Sequence, residues 1–195
     1  MFEQLFKSIQ EKVILSQEEM DLCKTFFISK KLRKKQTLLQ EGDICMYNAF
    51  VEKGILRSFS VDEKGNEHIV QFAIEGWWIT DLSSFLTNSN SIYTIQALED
   101  SELLLLTTEA REALMDKIPM FERYQRLLLQ NAYIANQVRI NSALTETAEE
   151  KYSYLIKAYP GLVQRVPQHM IASYLGLKPE TISRVRKHLN ERSSL

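Results

Sequence analysis

Apolar residues change their spacing along this chain in a way that divides it into three stretches. Near the start, Ser16-Gln17-Glu18-Glu19 has the Ser-x-x-Glu form of a capping box and predicts a helix running through Met20, Cys23 and Phe27. After the basic run 30–35, short segments rich in Phe, Val and Ile, such as 55–61 and 68–74, alternate with turn residues. The turns are Glu41-Gly42-Asp43, Glu52-Lys53-Gly54, residues 62–66, and Glu75-Gly76. Turns at that frequency predict strands folded into a small roll or barrel ending near Leu106.

From Thr108 the period lengthens to that of helices. Glu109 and Glu112 suit a first turn, and Pro119 marks either a break or the opening of a second helix. The stretch 121–144 contains neither Gly nor Pro. Its Tyr124, Leu127, Asn131, Ile134, Val138 and Asn141 recur at alternating steps of three and four, the seam of a coiled coil, where Asn residues restrict register and partner number. A helical dimer is expected, with an ordinary amphipathic helix on its own sheet as the alternative. A second capping box, Thr147-Ala148-Glu149-Glu150, starts a helix with Tyr152, Leu155, Ile156 and Tyr159 on one face, stopped at Pro160-Gly161. The expected units are a β-roll domain over 1–118, a dimerisation helix over 119–145 and a terminal domain over 146–195.

Composition adds little until charge is divided by region. The chain has 195 residues, 45% hydrophobic and 25% charged, which suits a globular protein and disfavours disorder. Neither a signal peptide nor a membrane span is expected, because Glu3 and Lys7 interrupt the first apolar residues and the longest apolar run is 103–106. Cys23 and Cys45 are too few for a disulfide scaffold, so a reduced, cytoplasmic setting is expected. The formal net charge is only -1, but residues 151–195 hold eight basic and two acidic side chains, a net +6, against -7 for the remainder. A basic tail on an acidic body is the electrostatic footprint of a nucleic-acid reader.

The tail also has the pattern such a reader needs. Residues 168–175 form a short helix with Ile171, Ala172 and Leu175 on one side, and Gly176 permits a tight turn. Pro179 suits the first position of a second helix, whose Ile182, Val185 and Leu189 face the first. Two helices joined in this way make a helix-turn-helix, the second entering the major groove. On its other side lie Glu180, Ser183, Arg184 and Lys187. Arg184 suits guanine O6 and N7, Glu180 suits cytosine N4, and Ser183 completes the base-reading set. Gln168, His169, Lys178, Thr181 and Lys187 suit phosphates.

These residues carry a resemblance to the Crp/Fnr (catabolite-activator) family of bacterial transcription regulators. It rests on Arg165-Val166-Pro167, Ile171-Ala172-Ser173-Tyr174-Leu175-Gly176-Leu177 and Pro179-Glu180-Thr181-Ile182-Ser183-Arg184-Val185-Arg186, with the glycine turns at Gly42, Gly54 and Gly76. The resemblance implies an α+β architecture: an N-terminal β-roll like a cyclic-nucleotide-binding domain, a long dimerisation helix, and a C-terminal helix-turn-helix domain. Because the sequence stops at Leu195, that domain is expected to lack the C-terminal wing strands. Implied partners are double-stranded DNA, a second copy of the chain and RNA polymerase, with a small-molecule effector left open and no membrane. Glu180 and Arg184 fall on the family's base-reading positions and Thr181 on a phosphate-contacting one, whereas Pro179 replaces an intervening base-reading Arg.

The family's effector pocket corresponds to Thr80, Asp81, Leu82 and Ser83. Asp81 suits a ribose hydroxyl, and the backbone N–H groups beside it suit an anion. The phosphate-binding Arg is missing, however, since residues 69–110 contain no Lys, Arg or His. An uncompensated buried phosphate is costly, so cAMP is not the expected effector, and no cofactor is assigned. Two separated cysteines cannot supply four ligands to an iron–sulfur cluster, and no His or Cys has a context that singles out haem. No metal site and no catalytic residue are expected, the histidines at 68, 169 and 188 suiting neither a triad nor a metal cluster. His68 is expected on a strand surface, residues 30–35 on a solvated face, and Trp77-Trp78 in a core or domain contact.

Overall fold

The computed structural model describes residues 1–193. Two antiparallel four-stranded sheets form a roll. One has the order β1 (Ile28–Leu32), β8 (Ser101–Leu106), β3 (Asn48–Lys53) and β6 (Trp78–Ile79); the other has β2 (Thr37–Leu39), β7 (Thr94–Ala97), β4 (Leu56–Val61) and β5 (Glu67–Ala73). Alternation sends Leu32, Val51, Leu103 and Leu105 of the first sheet and Leu39, Leu56, Ala73 and Ile95 of the second into one interior cluster. At Gly54, between β3 and β4, φ is +100° and a Cβ would collide with Ser101, so both conformation and space require glycine.

The sheets' outer faces are covered by different parts of the chain. Phe50, Leu104 and Leu106 of the first sheet pack under α1 (Glu3–Gln10), α2 (Gln17–Lys24), α4 (Thr108–Lys117) and the start of α5 (Pro119–Thr145). Ile55, Phe59, Ile69 and Phe72, from the second sheet and the turn before it, pack under α6 (Ala148–Ala158), α7 (Pro160–Arg165), α8 (Gln168–Leu175) and α9 (Pro179–Ser193).

Both capping boxes form, opening α2 at Ser16 and α6 at Thr147. Helix α2 ends at Lys24, before Phe27, which instead joins the aromatic cluster beside Phe121 and Trp78. Helix α1 has no sequence expectation behind it, and its N-terminus is held from elsewhere in the fold. The buried Glu52 of β3 accepts from Leu5 N at 2.8 Å and Gln4 N at 3.2 Å, and burial raises its pKa against the pull of those N–H groups. Helix α6 ends at Ala158, with Tyr159 out of helical conformation, so the stop before Pro160-Gly161 holds; Pro160 then opens the short helix α7, as Pro119 opens α5. The expectation of missing wing strands rests on the end of the chain at Leu195, which lies outside the described residues.

Candidate nucleic-acid interface

Helices α8 and α9 are joined through Gly176, which adopts φ +67° and returns its N–H to Ser173 O, while Leu177 N bonds Ala172 O at 2.9 Å. Ala172 and Ile182 are fully buried, and Ile171 is nearly so. The apolar face of α9 therefore locks onto α8 and α6, leaving Glu180, Ser183, Arg184 and Lys187 exposed on its far side. Lys178 and His169 are exposed, whereas Thr181 and Gln168 are half-buried. Gln168 Oε1 accepts from Arg186 at 2.9 Å, tying the start of α8 to α9.

Not every cation of the tail is free to face a groove. The Arg165 guanidinium donates two bonds of 2.9 Å to Glu75 and a further one to Glu99, both in turns of the roll. Partial burial pushes the Glu75 carboxyl up, but Arg165 and the Gly54 N–H outweigh it and hold its pKa at about 2. Ser173 of α8 donates to Glu67 O and accepts from Ile69 N. Phe72 packs on Tyr174 and Trp77 on Tyr159, with ring centroids 5.3 Å and 5.1 Å apart. Arg139 of α5 bonds Val70 O and lies over the Tyr174 ring. The tail is thus joined to the second sheet by apolar packing, polar bonds and an ion-paired rim. Sequence pattern gave no signal for this contact, which links residues as far apart as Ile69 and Ser173.

On α5 the expected seam divides. Tyr124 is fully buried, its hydroxyl within 2.9 Å of Ser8 Oγ and 3.0 Å from the Trp78 indole nitrogen, and Leu127 packs on the same cluster. Tyr124 is therefore corrected from a partner-facing residue to a core residue of its own chain, because the first turns of α5 lie on the roll. Asn131, Ile134, Val138 and Asn141 are exposed. So is a second apolar stripe absent from the sequence expectation: Leu129, Tyr133, Ile140 and Leu144, of which Leu144 is 82% exposed. Its steps of four, seven and four were the available signal.

The four expected effector residues do not converge on one pocket. Asp81 caps the short helix α3 (Leu82–Thr87), one carboxylate oxygen accepting from Ser84 N at 3.2 Å and the other from Ser91 Oγ at 2.8 Å. Thr80 Oγ1 donates to Tyr47 O, while Leu82 and Ser83 are exposed. The expectation that Asp81 would accept from a ribose is corrected, since its buried carboxylate is already paired. Its place before the apolar start of α3 was the legible sign of a cap. Among the described residues Arg57 is the only buried cation, and it is held by Glu67 and Gln96. These residues do not fit a cyclic phosphate.

Nor do the described residues include a group of three or more His, Cys, Asp or Glu side chains placed to hold a metal ion. Cys23 and Cys45 are buried in separate clusters, and burial pushes the Cys23 thiol up to about 12. Exposed His68 on β5 bonds Asp62, and His188 bonds Glu149. Among the described residues no helix is long and apolar enough to cross a membrane.

Residues 29–117 match the cyclic nucleotide-binding domain family. The chain is 28% identical over 185 residues to the regulatory protein HlyX of Actinobacillus pleuropneumoniae, covering 88% of this chain and 75% of HlyX. It is equally similar to the fumarate and nitrate reduction regulatory protein of Vibrio cholerae, at 28% identity over 88% of this chain and 72% of that protein. In fold it is similar to FixK2 from Bradyrhizobium japonicum, with a TM-score of 0.71 at 18% identity over 86% of each chain. Roll, long helix and helix-turn-helix follow one another in this order along the chain. Over most of its length the chain is thus similar to these regulatory proteins, and its roll matches the cyclic nucleotide-binding domain family.

Proposed function

We propose that the chain acts as a cytoplasmic homodimer that binds a pseudo-palindromic site in double-stranded DNA, without catalytic activity, and meets RNA polymerase there. The observation that carries this reading is the exposed face of α9, where Glu180, Ser183, Arg184 and Lys187 project away from a helix locked by Ile182. In the major groove, Arg184 donates a bidentate pair to guanine and Glu180 accepts from cytosine N4, with Ser183 beside them. Gln168, His169, Lys178, Thr181 and Lys187 fix the register on phosphates. Pairing of two chains along α5, through Asn131, Ile134, Val138 and Asn141 flanked by the second stripe, sets the spacing of the two α9 helices.

An effector, if the roll takes one, is of a chemistry other than a cyclic nucleotide. The pairing of Asp81 with Ser84 and Ser91 and of Arg57 with Glu67 supports that reading. The test of the DNA-reading surface is Arg184→Ala, titrated at several salt concentrations against a duplex selected from random DNA with the full chain. The expected result is a loss of about 1–3 kcal/mol of binding with relaxed preference at one base pair, fold and dimer intact. Unchanged affinity and unchanged preference would contradict it.

A further inference from the structure

One end of the roll carries an apolar surface that DNA reading by α9 leaves unexplained. It is built from α3, the loop 40–46 after β2, the loop 88–93 before β7 and the first turn of α4. Ser84 of α3 accepts from Cys45 N at 2.8 Å and donates to Ser89 O, and Ile44 bridges to Asn90. Gly42 N donates to Ser91 O and Ser91 N to Asp43 O, both at 2.8 Å, while Thr108 Oγ1 at the start of α4 donates to Phe85 O at 3.3 Å. Cys45 and Phe85 join the roll's interior, whereas Ile44, Met46, Leu82, Leu86 and Ile92 are 38–63% exposed. Leu82 and Leu86, one turn apart, share a face of α3, and Ile44 and Ile92 stand diagonally across the bridged loops.

The rim of this surface has one sign of charge. Glu41, Asp43 and Glu109 are exposed, and among the described residues none of them is in an ion pair. Neither 36–52 nor 69–110 contains Lys, Arg or His, and Arg111 just beyond is engaged by Glu112. The exposed basic run 30–35 precedes β2 and the acidic loop follows it, so the length of that strand separates the two charges. The backbones of the two loops are bonded to each other, so this end of the roll presents side chains to a partner and not a strand edge. Apolar side chains gathered in one place and rimmed by charge mark a contact surface.

We infer that this end of the roll docks a basic amphipathic helix of another protein. A helix with Leu, Ile or Met at i, i+4 and i+7 meets Leu82, Leu86, Ile44, Met46 and Ile92, while Lys or Arg on its flanks faces Glu41, Asp43 and Glu109. The unbranched, polarizable Met46 adapts to side chains of differing shape. The three carboxylates steer the encounter and exclude acidic segments, and their attraction is screened by salt. They repel phosphates in the same way, so this contact is separate from the DNA-facing side of α9 and does not depend on it.

The test titrates the full chain, without DNA, with a fluorescent Leu/Lys peptide of about 18 residues whose leucines repeat at i, i+4 and i+7, and with a scrambled peptide of the same composition. Anisotropy is read over a range of salt concentrations. The parent is expected to bind the patterned peptide at least about tenfold tighter than the scrambled one. The triple variant Leu82→Ser, Leu86→Ser, Ile92→Ser, altered only at exposed positions, is expected to stay folded and to bind both peptides alike. Glu41→Gln, Asp43→Asn, Glu109→Gln is expected to bind the patterned peptide more weakly and with a flatter salt dependence. A charge-matched control, Glu18→Gln, Glu63→Gln, Glu122→Gln, lies on α2, the turn between β4 and β5, and α5, and is expected to match the parent. Equal affinity of the parent for the two peptides, or an unchanged preference in the Leu82, Leu86 and Ile92 variant, overturns the inference. Sedimentation of the same chains without peptide is expected to show no difference; conversion of a dimer to a monomer by the serine substitutions would show that a second copy covers this surface and would overturn it too.

Discussion

The two outer faces of the roll are covered by helices in contrasting ways. Over the first sheet the contact is centred on aromatic rings: Phe50 and Trp78 meet at 5.2 Å between centroids, and Phe27, Phe121 and Tyr124 close around them. Over the second sheet an apolar centre of Phe59, Ile69 and Phe72 is rimmed by charge and polar bonds, from Arg165 with Glu75 and Glu99 to Ser173 with Glu67. The first face behaves as core, because its packing contributes to the stability of every element around it. The second is a seam between the roll and the C-terminal helices, and seams of mixed polarity give contacts that open at lower cost than a domain core.

The contrast is sharpest in mutations. Phe50→Ala, at a fully buried position, is expected to cost about 3–5 kcal/mol and to lower the melting temperature of the whole chain. Phe72→Ala, 2% exposed and packed at a tilt against Tyr174, is expected to cost about 3 kcal/mol, read as faster proteolysis and hydrogen exchange in residues 148–189 while the roll's strands stay protected. Equal exchange in roll and tail after Phe72→Ala would erase the distinction.

Acid separates the faces more gently. The Glu75 pKa is about 2 in the fold against an ordinary 4.5, so its pairing contributes stability that is present above pH 4.5 and lost as pH falls toward 2. Exposed by about a third, the Arg165 rim is worth about 1 kcal/mol or less, and Arg165→Ala is expected to flatten this acid dependence in a thermal-melt series from pH 5 to 3.

What the sequence made legible follows the same division. Ser16, Thr147, Gly176 and Pro179 act on backbone within a few residues of themselves, so the caps, the turn and the start of α9 were readable from spacing. Glu52 caps α1 from 47 residues away, and Ser173 bonds Ile69 across 104, distances at which pattern carries no information. Arg165 counted toward the positive tail, yet its charge is spent on the body. Tyr124 had the spacing of a partner contact and the surroundings of a core residue, because spacing fixes the face of a helix and not what lies against it. The family resemblance assigns Asp81 to a ligand, whereas its local sequence describes a helix cap.

In the proposed complex two chains, paired through the exposed face of α5, present two copies of α9 to one duplex. Sedimentation of the chain with the selected duplex tests it most directly. Two chains per duplex are expected, and Ile134→Asp with Val138→Asp is expected to give a monomer that stays folded and loses site-specific binding. A saturated complex of one chain per duplex, or full site-specific affinity in the monomeric variant, would contradict it.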